Sequence, residues 1–304
     1  MIIDQNKLAN MYITFNALFN EALQATQPWW ERVAMLVRAG TRIVDYKWLK
    51  NFPGIQEWIG DRQIQSLGAE AFQIEAKKYE GTVEVEEDDI DDDTLGIYSP
   101  LISELGRAAK KHPDRLIGAL FAAGLTATIW DGKHFFDTDH PAPIPTNEAA
   151  VGSNYTDGVG TAWYLMDVSR AIKPFIFQLR RDWRLVRMDK EDDEQKFMRG
   201  KIRYGVDYRS NVGFGLWQLA HCSKAALTGD NYGAARAAMM SLKNVRGEAL
   251  DITPNLLVVP PSLEGKAREI LNNQFIIGQA DVGGSKENVW KGTADLLVIQ
   301  DLAA

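Results

Sequence analysis

The stretch WDGKHFFDTDHPA, residues 130–142, gathers His134, Asp137, Asp139 and His140 within seven positions. Imidazole and carboxylate groups are the ligands of zinc and other divalent ions, so the stretch raises metal-dependent hydrolysis. The spacing argues against it. His134 and His140 are six residues apart, which suits neither a helical ligand pair nor a finger. The other histidines, His112 and His221, stand without a companion ligand motif. Asp131-Gly132 is a turn signal and His140-Pro141 marks an extended exit. The expectation is a structural loop pinned in a core by Phe135 and Phe136, with its His and Asp side chains capping backbone groups.

A second candidate is EGTVEVEEDDIDDD, residues 80–93, with nine carboxylates and no Lys or Arg. A calcium loop begun at Asp89 would accept Asp91 and Asp93. It then puts Thr94 where Gly is needed and Pro100 where a bidentate Glu is needed. A solvated acidic turn, or a patch that meets basic residues on another segment or another copy, fits better. Cys222 directly follows His221. Neighbouring residues point to opposite faces of a strand, so the pair is poorly placed as nucleophile and base, and a plain buried thiol is expected. The sequence has no GxxxxGK phosphate loop, no GxGxxG after a strand and no GxSxG elbow.

The whole chain sets bounds on these groups. Its 304 residues allow one or two domains with a large core. Hydrophobic content of 45% and charged content of 25% are those of an ordinary globular protein. The net charge of -7 argues against a basic nucleic-acid reader and against a polybasic membrane binder. One cysteine excludes an internal disulfide, which points to folding in a reducing cytoplasm. The opening MIIDQNKLANMY lacks the pattern of a signal peptide, and no apolar run approaches the ~18 residues that span a bilayer.

The elements follow from periodicity. Leu8, Met11, Phe15, Leu18 and Phe19 make a helical stripe that Pro28 ends, with Asp4 as a cap. That stripe suits a core helix or an arm lying on a neighbouring subunit. Phe72, Ile74 and Ala76, then Val83 and Val85, alternate with polar residues as in strands. They predict an extended hairpin with too little apolar surface for its own core. From Ser99 to Gly124 the pattern is helical, but Pro113 leaves open one kinked helix or two stacked ones. Residues 141–160 read as loop. KPFIFQLRRDWRLV and KIRYGVDYR bracket the charged tip MDKEDDEQ. Ile202, Tyr204, Val206 and Tyr208 alternate with polar residues and glycine in the clearest strand signal of the chain. Arg180, Arg181, Arg184 and Arg187 lie on the first arm of this hairpin, and Asp189, Glu191, Asp192, Asp193 and Glu194 at its tip. Between copies, tip could meet base. A helix rich in Ala and Met is expected from about Tyr232 to Leu242, a buried strand over 256–259, a helix from Ser262 to Leu271 and a last strand over 295–300.

Seven segments in series resemble one family, the Mu-like phage major head subunit (the T-type head protein). They are YKWL with Pro53 and EWIGDR (46–62), YEGTVEVEEDDIDDDTLGIY (79–98), Leu105-Gly106, DGKHFFDTDHP (131–141), KPFIFQLRR (173–181), YGVDYRSNVGFGLWQLA (204–220) and LDITPNLLVVPPSLEGKAREIL (250–271). The resemblance covers nearly the full chain in the same order.

It implies an α+β major capsid protein with the Hong Kong 97-type fold. Residues 1–45 would be the N-terminal arm, 46–97 the extended E-loop hairpin and 98–130 the spine helix of the P-domain. Residues 131–224 would supply P-domain strands and a loop insertion, and 225–304 mostly the A-domain. The function implied is self-assembly into hexamers and pentamers of an icosahedral shell around double-stranded DNA, with no enzyme activity, metal or cofactor. Inter-subunit contacts are expected at Phe15, Phe19, Trp58, Arg62, Phe72, Glu86, Asp88, Arg181, Arg184, Asp192 and Asp193. The partners implied are other copies of the chain, a portal, a scaffold, a protease and decoration proteins, without a membrane. The chain begins close to its first helix, so scaffold and protease are expected to be separate proteins. The place implied is the virion capsid, assembled in the host cytoplasm. Two readings remain as alternatives: an encapsulin-like nanocompartment shell, and a metal-dependent hydrolase using His134, Asp137, Asp139 and His140.

Overall fold

A computed structural model of the chain describes residues 5–46, 72–86, 89, 96, 98–141, 151–188, 193, 198–243, 247–277 and 285–302. Helix α1 spans Gln5–Ala25 and a short α2 spans Trp30–Val33. Strands β1 (Ala34–Arg38), β2 (Ile43–Asp45), β3 (Gln73–Glu75) and β4 (Lys77–Glu86) follow, then the long helix α3 (Tyr98–Ala123). The short β5 (His140–Pro141), β6 (Val151–Gly152) and β7 (Tyr155–Thr156) lead to β8 (Trp163–Met166). The long hairpin is β9 (Phe175–Met188) with β10 (Lys201–Phe214), and β11 (Ala220–Ser223) comes next. Helix α4 (Gly229–Met240), β12 (Leu256–Val259), α5 (Glu264–Asn272), β13 (Phe275–Ile277), β14 (Ser285–Glu287) and β15 (Asp295–Val298) complete the order.

Two sheets organise these elements. The first has the order β1-β9-β10-β4, with β1 parallel to β9 and the other pairs antiparallel. In β10 the alternation works as read: Ile202, Tyr204, Val206 and Tyr208 are buried, and the residues between them are partly exposed. One face of this sheet lies under α1 and α3. Leu8, Met11, Phe15 and Phe19 pack there with Ile102, Val85, Leu185 and Tyr204. The helices nearly touch: a Cβ at Gly106 would lie 2.6 Å from the carbonyl oxygen of Phe19.

Helix α3 is one helix, which settles the choice left open by Pro113. An interior proline costs about 3 kcal/mol. Burial of Ile102, Ala109, Ile117 and Phe121 along the same face offsets it. Gly124 ends the helix as expected. A Cβ there would meet the Phe136 ring at 2.7 Å, so this glycine also makes room for the loop that follows.

The second sheet has the order β15-β12-β8-β11-β7. Strands β8 and β12 are apolar throughout because both faces are covered. Tyr164, Met166, Leu256 and Val258 face a core shared with Phe121, Phe135 and Phe175. Trp163, Leu165, Leu257 and Val259 face Tyr232, Ala235 and Met239 of α4 and Ala267, Ile270 and Leu271 of α5. This sheet draws strands from both sides of the boundary expected at 224–225.

The extended hairpin expected over 46–97 is described only in part. β4 is paired with β10 over ten positions, from Lys201↔Glu86 to Ser210↔Lys77. Ladder bonds and the burial of Val85 fix it to the chain's own sheet, and β3 is likewise paired with β2. The rest of that segment, 47–71 and most of 87–97, lies outside the described residues. Among the described residues, no helix is long and apolar enough to cross a membrane.

Candidate assembly surface

The loop after α3 does not bring its four metal-type side chains together. The His140 ring is fully buried and stacks on Trp217, with centroids 4.0 Å apart and planes within 6°. Its Nδ1 bonds Asp131 Oδ2 at 2.7 Å, and its Nε2 bonds Asn154 Oδ1 at 3.1 Å. Both ring nitrogens are thus committed to oxygen acceptors. Asp137 accepts the backbone N–H groups of His134 and Thr138 at 3.2 and 2.7 Å. Burial works against its charge, but those N–H groups outweigh it and hold its pKa below the ordinary value. Asp139 is paired with Lys133, and His134 is exposed. Phe135 and Phe136 are buried, Phe135 stacking on Phe214 at 4.6 Å. Among the described residues no cluster of three or more His, Cys, Asp or Glu could hold a metal ion. The loop is a pinned structural element, as its residue types suggested.

The hub of this loop escaped the sequence reading. Asn154 donates from Nδ2 to the carbonyls of Phe135, Trp217 and Ala220, at 2.8, 3.2 and 3.1 Å. Its Oδ1 accepts from the Asp137 backbone N–H at 2.9 Å besides His140. One buried amide therefore ties the loop to the turn between β10 and β11. An Asn in a Gly/Ser-rich stretch reads as turn chemistry, and nothing local distinguishes this one.

His221 and Cys222 are both buried on β11 and share no chemistry. Burial pushes the Cys222 thiol up to about 12, which leaves it protonated and inert. His221 Nε2 bonds Thr156 Oγ1 at 2.9 Å, and burial lowers its pKa to about 4. The unfolded chain, with an ordinary imidazole near 6.5, therefore takes up the proton first as pH falls. Stability contributed above pH ~6.5 is lost on the way down to pH ~4, by about 3 kcal/mol at full descent. His221→Gln keeps a partner for Thr156 and removes the titration. Denaturant midpoints of the two proteins should converge between pH 7 and 4.5 as the wild type weakens. A constant gap across that range would disprove the assignment. Buried Asp114, raised to about 6 by desolvation, shifts stability with pH in the opposite sense in both proteins and cancels in the comparison.

The residues expected to contact other copies divide into three groups. Phe15 and Phe19 are 1% and 0% exposed in the chain's own core, so neither side chain has surface left for a neighbour. Phe15 packs edge-on to Tyr204 at 5.1 Å. Phe72 is half-buried against both cores. Glu86 pairs with Lys201 at 2.9 Å. Arg184 pairs with Asp207 at 2.5 Å and Arg181 with the same carboxylate at 3.4 Å, which holds the Asp207 pKa below its ordinary value. These cations are partly spent within their own sheet. Asp193 also has an interaction within the chain. Trp58, Arg62, Asp88 and Asp192 lie outside the described residues.

The family model described as Mu-like prophage major head subunit gpT matches residues 8–302. The chain belongs to that family. It is 37% identical over 298 residues to the Mu-like prophage FluMu major head subunit of Haemophilus influenzae, covering 96% of each chain. It is 36% identical over 304 residues to the major capsid protein of Escherichia phage Mu, covering 98% of this chain and 99% of that one. Its fold matches a chain of the procapsid of bacteriophage JBD30 with a TM-score of 0.82 and 44% identity, over 90% of this chain and 93% of that one. The Mu-like head subunit described here thus has the Hong Kong 97-type fold of phage capsid proteins. It is a major capsid protein of a Mu-like phage, and its family is structural. Neither the nanocompartment nor the metal-hydrolase alternative is supported.

Proposed function

We propose that this head subunit assembles with copies of itself into pentamers and hexamers of an icosahedral shell that encloses double-stranded DNA, and that it carries no catalytic role. The carrying observation is the match in fold, over nearly the whole chain, to a procapsid subunit. The chain's own physics supports it. The groups that could do chemistry are tied into structure, and the net charge of -7 disfavours gripping packaged DNA. The first sheet with α1 and α3 is assigned to the P-domain, with α3 as spine helix. The second sheet with α4 and α5 is assigned to the A-domain, which moves part of 131–224 into that domain. Portal, scaffold, protease and decoration proteins are the partners this function needs, and the host cytoplasm is the site of assembly. Expression of the chain with its scaffold should yield closed particles by electron microscopy and a fast-sedimenting peak. Only monomers and amorphous aggregate under all such conditions would refute the reading.

A further inference from the structure

The first sheet ends at β4, whose only sheet neighbour among the described residues is β10. Every second residue of such an edge turns its backbone N–H and C=O away from the sheet, where another strand can pair with them. The edge is ten residues long. Near its centre lies Gly81, a residue type that weakens a strand interior and suits a place where another backbone comes close. The flank of α3 beside this edge carries Leu101, Leu105 and Ala108 at four- and three-residue spacing. Leu101 is 45% exposed, and Ala108 is exposed too. A cleft of about 450 Å³ opens between that flank and β4. It is lined by Tyr79, Gly81, Leu105, Ala108 and Val206 together with charged side chains of both signs.

The outer face of β4 carries Lys78, Glu80, Thr82, Glu84 and Glu86 in turn. These charges are not balanced within the chain. Lys78 stands opposite Arg209, which stands opposite Arg181, so three cations form one row across the sheet. Like charges directly opposite each other destabilise a pair of strands. Arg181 reaches Asp207 at 3.4 Å, while Lys78 and Arg209 have no salt bridge among the described residues. Glu80 stands opposite Asp207 and accepts from the Thr82 hydroxyl at 3.0 Å. Glu84 accepts from Arg203 on its β10 side at 2.7 Å, and its side chain stays 38% exposed. A carboxylate held in this way keeps acceptor capacity toward the edge.

We propose that β4 pairs antiparallel with β4 of a second copy, across a two-fold axis at Gly81. Centred there, Lys78 of each copy meets Glu84 of the other, and Glu80 meets Thr82. Moving the axis one residue either way sets Glu80 against Glu80 or against Glu84, so the Gly81 centre is the one that avoids a like-charge pair. A second copy is the occupant because the strand's charge order complements itself. The same register sets Tyr79 opposite Val83 of the second copy, an aromatic–β-branched pair beside the cleft. Helix α3 lies mainly over β10, so the two α3 helices stand three strand spacings apart, roughly 14 Å. Helices about 10 Å across fit at that distance, with Leu101, Leu105 and Ala108 of each copy between them. A two-fold contact cannot build a ring, whose contacts are head to tail. It therefore joins copies of neighbouring rings, a placement that rests on the shell reading above.

The test joins oxidation to charge reversal. Gly81→Cys puts one thiol on the proposed axis, and the native Cys222 is buried. A Cβ at position 81 would meet Leu105 at 3.4 Å, an ordinary contact, so the variant should fold. Mild oxidation of its shells should link most chains in pairs on non-reducing gels. Val83→Cys should stay unlinked. The two copies of that position are four residues out of register, about 13 Å apart, and a disulfide needs Cα atoms within about 7 Å. Lys78→Glu should leave the thermal midpoint of the free subunit unchanged or higher, because it relieves the repulsion with Arg209, yet cut shell yield at least tenfold. Should Gly81→Cys fail to fold, those two readouts decide alone. Shells whose Gly81→Cys chains stay unlinked, or position 83 linking as readily as 81, would overturn the contact. Wild-type shell yield from Lys78→Glu would overturn it too. Linked Gly81→Cys pairs from a chain that forms no shells would keep the contact and bring down the shell reading.

Discussion

Replacing Asn154 by Leu should lower the stability of the isolated subunit by about 4 kcal/mol, the largest effect expected of any single polar change here. The side chain is 1% exposed and meets five polar partners, its two Nδ2 hydrogens being shared among three carbonyls. Leucine has the same branched skeleton, so it keeps the shape while polar satisfaction is removed, and its bulkier methyl groups add some overpacking. A buried polar group left without its partner costs about 1–3 kcal/mol. Three carbonyls, one backbone N–H and the His140 ring lose a partner together. Local relaxation and second lone pairs keep the total below the sum of five such costs. Urea midpoints and the near-ultraviolet signal of Trp217, against which His140 stacks, report the change. Asn154→Asp should be worse, because it aims an acceptor at three carbonyl oxygens. A loss below about 1 kcal/mol for Leu would mean that the hub is not where the loop is held.

Phe19→Ala should cost about 3–5 kcal/mol, again in the isolated subunit. Phe19 is fully buried where α1 crosses α3, at the point where Gly106 lets the two backbones approach. The rigid carbonyl contact leaves little room for collapse into the cavity, so the upper part of that range is favoured. The measurement separates two views of the first helix. A core element destabilises the lone subunit. An arm ordered only by a neighbour would leave the subunit's unfolding midpoint unchanged and weaken assembly alone. The structure places α1 in the first class, whereas its sequence suited both.

That contrast shows where sequence reading stops. The stripe in α1 was visible, because a period of 3.6 residues is a local property. The surface it covers was not, because one apolar stripe fits any complementary face. The alternation of β10 was equally plain, and its buried set is the one observed. The WYLM strand, β8, went unread, since a strand covered on both faces has no alternation to show. The parallel pairing of β1 with β9 joins residues more than a hundred positions apart, and nothing local specifies it. Pro113 looked like a break, because its local cost is visible and the tertiary burial that offsets it is not.

By itself the sequence determined the family, through seven segments in a fixed order, and with it the fold and the capsid role. It also argued correctly that the His/Asp-rich loop is structural, because ligand spacing and turn chemistry are short-range facts. Only the tertiary structure decided which charges are paired. Arg181 and Arg184 turned out to be paired across strands with Asp207, whereas Lys111 and Arg115 have no salt bridge among the described residues. Coulomb energy depends on distance in space and on solvent screening, and neither can be read from position along the chain.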